Sequence, residues 1–346
     1  MVVVGIVLVA GAGIVRWAVA PALTVLPGDL NTSRTYTGVA STLANPAWLA
    51  GSHTVPALLR NVPVTVVHTD KVLDTNGDNA LVADRRLLTV PGFTLADLND
   101  RYAVNRSDFG PGSASGFTGV TTQRGLTFNW PIGTHKHNYT GWVSDTRQTA
   151  TLRYAGEATR GGVDTYVFKA DVLPTRIVDP QLTKLLPSSM PKSELMTMVP
   201  SLGLSPGQLT DLSKTLANLP DPVPFAYTYQ ATNTYWVAPR SGVVVDISYR
   251  EVRSVAFAVG PLLIPVAPVM DLTYTSTPMT LSAAAKDARD NASAMNMIES
   301  TLPLWLLLGG LALIVVGGSV LATRRREPPA APPVQPVSPR ELTPIG

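Results

Sequence analysis

Residues 226–257 read AYTYQATNTYWVAPRSGVVVDISYREVRSVAF. From Ala226 to Val237, and again from Val243 to Phe257, polar and apolar residues alternate, with Tyr, Trp and Val recurring along both arms. Successive side chains of a strand point to opposite faces, so this period of two marks half-buried strands. Between the arms, Ala238-Pro239-Arg240-Ser241-Gly242 holds the proline and glycine that a chain reversal uses. The stretch predicts a β-hairpin, with Trp236 and Val245 near its closed end, and makes the fold class mainly β.

Working outward, the same signal recurs. Val62 to Leu73 and Ala80 to Val90 are β-branched runs joined by Asp74–Asn79, whose Asn76-Gly77 is a strong hairpin signal. Thr151 to Tyr154 and Asp164 to Ala170 flank a turn at Arg160-Gly161-Gly162. Residues 179–222 break the pattern with short apolar-periodic pieces interrupted by Pro187, Pro191, Pro200 and Pro220, and predict a helical insert. Its best helix begins at Ser205-Pro206-Gly207-Gln208, where Ser205 and Gln208 form a capping box. Leu209, Leu212, Leu216 and Leu219 then share a face. Residues 280–300 are alanine-rich and read as a helix leading to the membrane. Residues 27–300 are thus expected to form a β-sandwich-like or two-lobed β domain carrying the insert.

The two ends have a different solvent. Leu302 to Ala322 contains no charge, and at about 1.5 Å per residue it crosses a hydrocarbon core of roughly 30 Å. Trp305 stands near one end and Arg324-Arg325-Arg326 follows the other, which by the positive-inside rule places the C-terminal side in the cytoplasm. Residues 1–26 are apolar apart from Arg16 and predict a retained transmembrane helix rather than a cleaved signal, with Arg16 snorkelling outward. Residues 301–323 form the second span. Residues 324–346 are proline-rich and expected to be a disordered cytoplasmic tail. Two anchors with both termini cytoplasmic put the main domain outside the cytoplasm, at the plasma membrane.

Charge adds an exclusion. Between Pro27 and Ser300 there are 22 Lys and Arg against 22 Asp and Glu, so the formal charge of +3 comes from the flanks. The outer domain lacks the basic excess that nucleic-acid binding needs. With no cysteine, disulfides, thiolate catalysis and cysteine-bound metals are all absent.

No stretch reads as a catalytic, cofactor or metal site. Asp74, Asn76 and Asp78 fail the calcium-loop pattern, which needs glycine sixth and glutamate twelfth. His135 and His137 lack a neighbouring carboxylate. Gly110–Gly116 has neither the lysine of a phosphate loop nor the order of a nucleophile elbow, and reads as a flexible loop. The insert has two readings. Leu182, Leu185, Leu186, Met190, Leu195, Met196, Met198, Leu209 and Leu212 either cap the β core or wall an apolar groove for an acyl chain, where methionines give adaptable sides.

Five segments carry a resemblance: Pro21-Ala-Leu-Thr-Val-Leu-Pro27, Arg101-Tyr-Ala-Val-Asn-Arg106, Trp130-Pro-Ile-Gly-Thr134, Gly162-Val-Asp-Thr-Tyr-Val-Phe168 and Tyr235-Trp-Val-Ala-Pro-Arg-Ser-Gly-Val-Val-Val245. In this order, between two terminal helices, they resemble the porin PorA-like family of mycolate-containing actinobacteria, which includes the polar growth factor PgfA. Tyr102, Arg106, Pro131, Tyr166, Trp236, Pro239 and Gly242 match its pattern and read as fold-determining. The resemblance implies a plasma-membrane envelope protein linked to polar growth and to trehalose-linked mycolates beside an MmpL-type transporter. It supplies no catalytic residues. The expected function is therefore non-catalytic: binding an envelope lipid or glycolipid and assisting its transport. The alternatives are a protein-only scaffold of the elongation machinery, then an envelope hydrolase or transferase. Channel activity is not expected, because a lipid-facing barrel needs an apolar outer band and no helical anchors.

Overall fold

The computed structural model describes residues 1–20, 25–202, 205–259 and 262–324. The proline-rich tail from residue 325 onward, with Arg325 and Arg326, lies outside them, as do residues 21–24 of the first resembling segment. The chain divides into two units, one comprising residues 1–22 with 296–346 and the other residues 23–295.

The larger unit is one antiparallel sheet. Its strands are β1 (Asn31–Ala44), β2 (Leu58–Leu59), β3 (Val62–Asn76), β4 (Asn79–Val90), β5 (Phe93–Asn105), β6 (Tyr139–Val143), β7 (Gln148–Arg160), β8 (Val163–Arg176), β9 (Ser189–Met190), β10 (Val223–Val237), β11 (Val244–Val259) and β12 (Leu262–Ser276). They lie in the order β5-β4-β3-β1-β12-β11-β10-β8-β7-β6, with β2 on β1 and β9 on β10. The hairpin of β10 and β11 forms as its alternation predicts, pairing Trp236 with Asp246 and Val237 with Val244. Residues Asn76 and Asn79 close the β3–β4 hairpin, so the acidic stretch around Gly77 is a turn.

The sheet curls until its halves face each other as the two layers of a sandwich would. Leu88 of β4 and Leu98 of β5 share one core with Tyr229 of β10, Ile247 of β11 and Leu272 of β12. The open edges are managed by the segment between β5 and β6. Thr121 and Gly112 donate backbone N–H groups to the Arg101 and Ala103 carbonyls of β5, at 2.6 and 2.8 Å. Further along, Leu126 exchanges backbone bonds with Thr140 and Trp142 of β6. An edge strand offers unpaired backbone groups, and this segment covers both edges in turn. Gly112 sits so close to β5 that a Cβ would fall 2.5 Å from the Val104 carbonyl carbon. The glycine-rich segment read as flexible is thus a fixed strip, and its glycines permit close backbone approach.

Helices pack at both ends of the β10–β11 hairpin, those of the insert around Val223 and Phe257 and a later one beside Ala238 and Val245. After α1 (Val2–Ile14) and α2 (Pro46–Leu49) come α3 (Pro180–Thr183), α4 (Lys192–Met198) and α5 (Pro206–Ala217). Helix α5 starts at the capping box of Ser205 and Gln208. Helix α6 (Pro278–Asn296) lays Ala285 and Ala288 against Ala238 and Val245. In the smaller unit, α1 continues as a π turn through Val19 and meets α7 (Leu302–Arg324). A Cβ on Gly5 would fall 2.5 Å from the Gly310 carbonyl oxygen, and one on Gly317 would meet Val2. The pair is therefore antiparallel and packed through glycines, as closely approaching membrane helices are. Their best windows have a mean hydropathy of 2.3 and are only 11% buried, so each is long and apolar enough to cross a membrane and shows that apolar surface outward.

Candidate functional site

The inner face of the curled sheet carries far more charge than a core ordinarily holds. Arg253 on β11 donates Nε and Nη2 to Asp145 Oδ2, at 3.1 and 2.6 Å, and Arg86 on β4 reaches Asp145 Oδ1 at 3.1 Å and Ser144 Oγ at 2.6 Å. Glu251 lies 3.5 Å from Arg253. Two cations thus balance two anions. Burial alone would raise the Asp145 pKa, but the charges of Arg253 and Arg86 and their hydrogen bonds hold it below the usual carboxylate value. Beside this network a run of rings crosses the sheet: Trp130 on Tyr235, Tyr235 on Tyr249 with their hydroxyls 2.5 Å apart, Tyr249 on Tyr274 and Tyr274 on Tyr36. Burial raises the pKa of all four tyrosines, so each stays a neutral donor.

A narrow cleft without room for a free water lies next to Asp145, lined by Asp100, Tyr102, Thr121, Trp142, Ser144, Arg147 and Asp179. Four parts of the chain build it: β5, the edge-covering segment, β6 with its following turn, and the start of α3. Asp179 caps α3, accepting from the Gln181 N–H at 2.9 Å through Oδ1. Among the described residues its Oδ2 is buried without a hydrogen-bond partner, and so is Trp142 Nε1. Asp179 is 1% exposed, and that burial raises its pKa, opposed by the Gln181 hydrogen bond and by Arg147. Asp100 Oδ1 accepts from Thr121 and Gln181. Arg147 sits at φ 52°, a left-handed conformation uncommon for its residue type. An unpaired buried donor and an unpaired buried acceptor in one cleft suit a hydroxyl group, which accepts and donates at once.

A second cluster lies on β3 and β4. His68 Nε2 is 2.9 Å from Asp84 Oδ1 and 3.5 Å from Asp70 Oδ1. Burial would lower the His68 pKa, but Asp70 and Asp84 override it and push it up to about 9. Asp84 lies below its ordinary value despite burial, because His68 and Arg86 favour its charge. The exposed pair His135 and His137 stacks at 6.2 Å, and among the described residues it belongs to no group of three potential metal ligands.

The insert residues divide. Leu182 joins the main core. Met190, Leu195, Met198 and Leu212 are closed into a second core with Trp48, Val223 and Phe257, and Leu209 packs against it. Leu186 is half-buried, whereas Leu185 and Met196 are 55% and 48% exposed. The pattern residues hold joints. Arg106 donates to the Leu26 and Gly77 carbonyls. Trp130, Gly133 and Thr134 donate backbone N–H groups to Gly242, Arg240 and Pro239, so two of the resembling segments dock on one another. The Pro131 carbonyl accepts from the Thr134 hydroxyl. Gly242 has φ 71°, and a Cβ there would meet the Trp130 oxygen at 2.0 Å. Tyr166 packs edge-on to Tyr154, Trp236 is half-buried under the Arg160 guanidinium at 4.3 Å, and Tyr102 lines the cleft.

Sequence reasoning missed Trp142, Asp145, Asp179, Arg86 and Arg253. They are single polar residues scattered over the chain, and the one available signal was the phase of the charges. Arg86 and Arg253 fall in register with buried apolar neighbours on their strands. No curated protein matches the chain. The model of the family described as Porin PorA matches residues 1–319, and the chain belongs to that family.

Proposed function

We propose that the protein is a non-catalytic envelope protein, held in the plasma membrane by its two helices, whose larger unit binds the hydroxyl-rich head of an envelope glycolipid and assists its transport. One observation carries this reading: the partnerless Trp142 N–H and Asp179 carboxylate oxygen line the same buried cleft. A hydroxyl entering there satisfies both, and leaving them unmet costs roughly 1–3 kcal/mol each. The cleft is closed to a water-sized group as it stands, so the side chains at its mouth, Ser144 and Arg147, have to part to admit a hydroxyl, and the rest of the head stays outside. Leu185 and Met196, which neither core consumes, are the insert residues free to meet an acyl chain. The resemblance supports a place beside an MmpL-type transporter.

The family description raises a channel as the second reading. Against it, exposed ion pairs stud the strands: Arg85 with Asp97 at 2.7 Å, Arg250 with Asp271 at 3.0 Å, and Arg153 with Asp171. A lipid-facing strand carries an apolar band there instead. The inner face, filled by the arginine–carboxylate network and the tyrosine run, is packed as a core.

Native mass spectrometry of the full chain, extracted in mild detergent from its own membranes, tests the binding reading. Wild type is expected to carry a glycolipid, and Trp142→Phe and Asp179→Asn are expected to lose it while melting within a few degrees of wild type. Asparagine keeps the α3 cap through its carbonyl oxygen and turns the second oxygen, the acceptor in the cleft, into an N–H donor. A wild-type chain free of glycolipid, or variants that retain it, would overturn the reading in favour of the scaffold.

A further inference from the structure

Asp70 and Asp84 are direct cross-strand partners in the β3–β4 ladder, and His68 lies two residues from Asp70 on the same face. Like charges placed opposite one another destabilise a sheet unless a cation lies between them. The two nearest arginines favour the charge of these acids through space but make their hydrogen bonds elsewhere. Arg34 donates to Asp287 at 2.5 Å, and Arg86 donates to Ser144 and Asp145. What remains is an imidazole and two carboxylates whose ligand atoms all lie within 4.8 Å of one another. Asp70 Oδ1 is buried and accepts no hydrogen bond from the described residues. The side chains are 22%, 13% and 12% exposed, so the cluster is largely desolvated yet still reached from solvent.

We infer that His68, Asp70 and Asp84 bind one divalent transition cation of the zinc class, stapling β3 to β4. Zinc binds imidazole nitrogen and carboxylate oxygen at about 2.0–2.2 Å. Ligand atoms around such an ion stand roughly 3–4 Å apart, and the separations of 2.9 and 3.5 Å already approach this. Two carboxylates neutralise the double charge, and the imidazole, which releases its proton when the ion binds, selects against calcium and magnesium, which prefer all-oxygen shells. Three protein ligands leave a fourth position for water. The bland reading is that a histidinium alone bridges the two acids. It predicts no metal, so one experiment separates the two.

The full chain in detergent, stripped with a chelator and dialysed, is titrated with zinc chloride and weighed by native mass spectrometry. One zinc per chain is expected, with a rise in melting temperature of several degrees that the chelator reverses. Asp70→Asn and His68→Gln should each weaken binding by more than about tenfold, since even partners outside the ligand shell are worth that much. Both variants should melt near the stripped wild type, which checks that they fold. A double His135→Ala, His137→Ala variant should bind as wild type does. Absence of zinc binding overturns the inference. So does zinc that stays on the Asp70 and His68 variants, or zinc that leaves with His135 and His137.

Discussion

Asp145 holds two arginines at once, and its position in a turn after β6 gives no sign of that in the sequence. Removing one partner of a buried charge set leaves the others uncompensated, at about 3–5 kcal/mol. Asp145→Asn should therefore lower the stability of the larger unit by that order in a denaturant titration, with Arg86 and Arg253 left in place. The pH dependence follows from the direction of its shift. The folded pKa lies below the unfolded one, so the contribution is present above about pH 4 and lost as pH falls through the depressed value. Wild type should lose stability on acidification below pH 4, and the variant should show a flatter acid limb. A wild-type limb as flat as the variant's would mean that Asp145 does not hold these charges.

Among the elements, the insert decides between its two readings residue by residue. Met198 is 7% exposed inside the second core, and Met196, two positions before it, is 48% exposed. Tryptophan at Met198 overpacks a closed core and should cost about 1–3 kcal/mol. Tryptophan at Met196 should leave thermal unfolding almost unchanged, and any loss of co-purified lipid from it alone would mark this surface as the acyl contact. Equal melting of the two variants would show that the core around Met198 is open. The capping box and leucine face of α5 were legible from sequence because both are local patterns. The strip from residue 111 to 126 was not. Its bonds run from backbone to backbone across the sheet edges, and backbone pairing leaves no side-chain signature beyond glycines.

For the whole molecule, the antiparallel pairing of α1 with α7 puts residue 2 beside residue 317, hence at one end of the helix pair. With the arginine triplet on the cytoplasmic side, both termini are expected there and the larger unit outside. A reporter active only outside the cytoplasm should be silent when fused after Gly346 and active when inserted at the β3–β4 turn near Gly77. Activity at the C-terminus would reverse the arrangement and remove the ground for an envelope role.

The sequence by itself determined the solvent of each part and the pairing of near neighbours. Twenty-one uncharged residues from Leu302 to Ala322 have no other good medium than lipid or a core, and the alternation from Ala226 to Phe257 leaves no other good conformation than a hairpin. Such signals are local, and the chain within one or two dozen residues expresses them fully. Only the tertiary structure decided that β1 joins β12, that one sheet curls on itself, and that Arg86, Asp145 and Arg253 meet. The same holds for Trp142 with Asp179. Each of these contacts joins residues that are far apart in the chain. Each is fixed by how the sheet bends rather than by any spacing, because a charge on the inner face of a strand looks in sequence like a charge on the outer one until its partner across the interior is known.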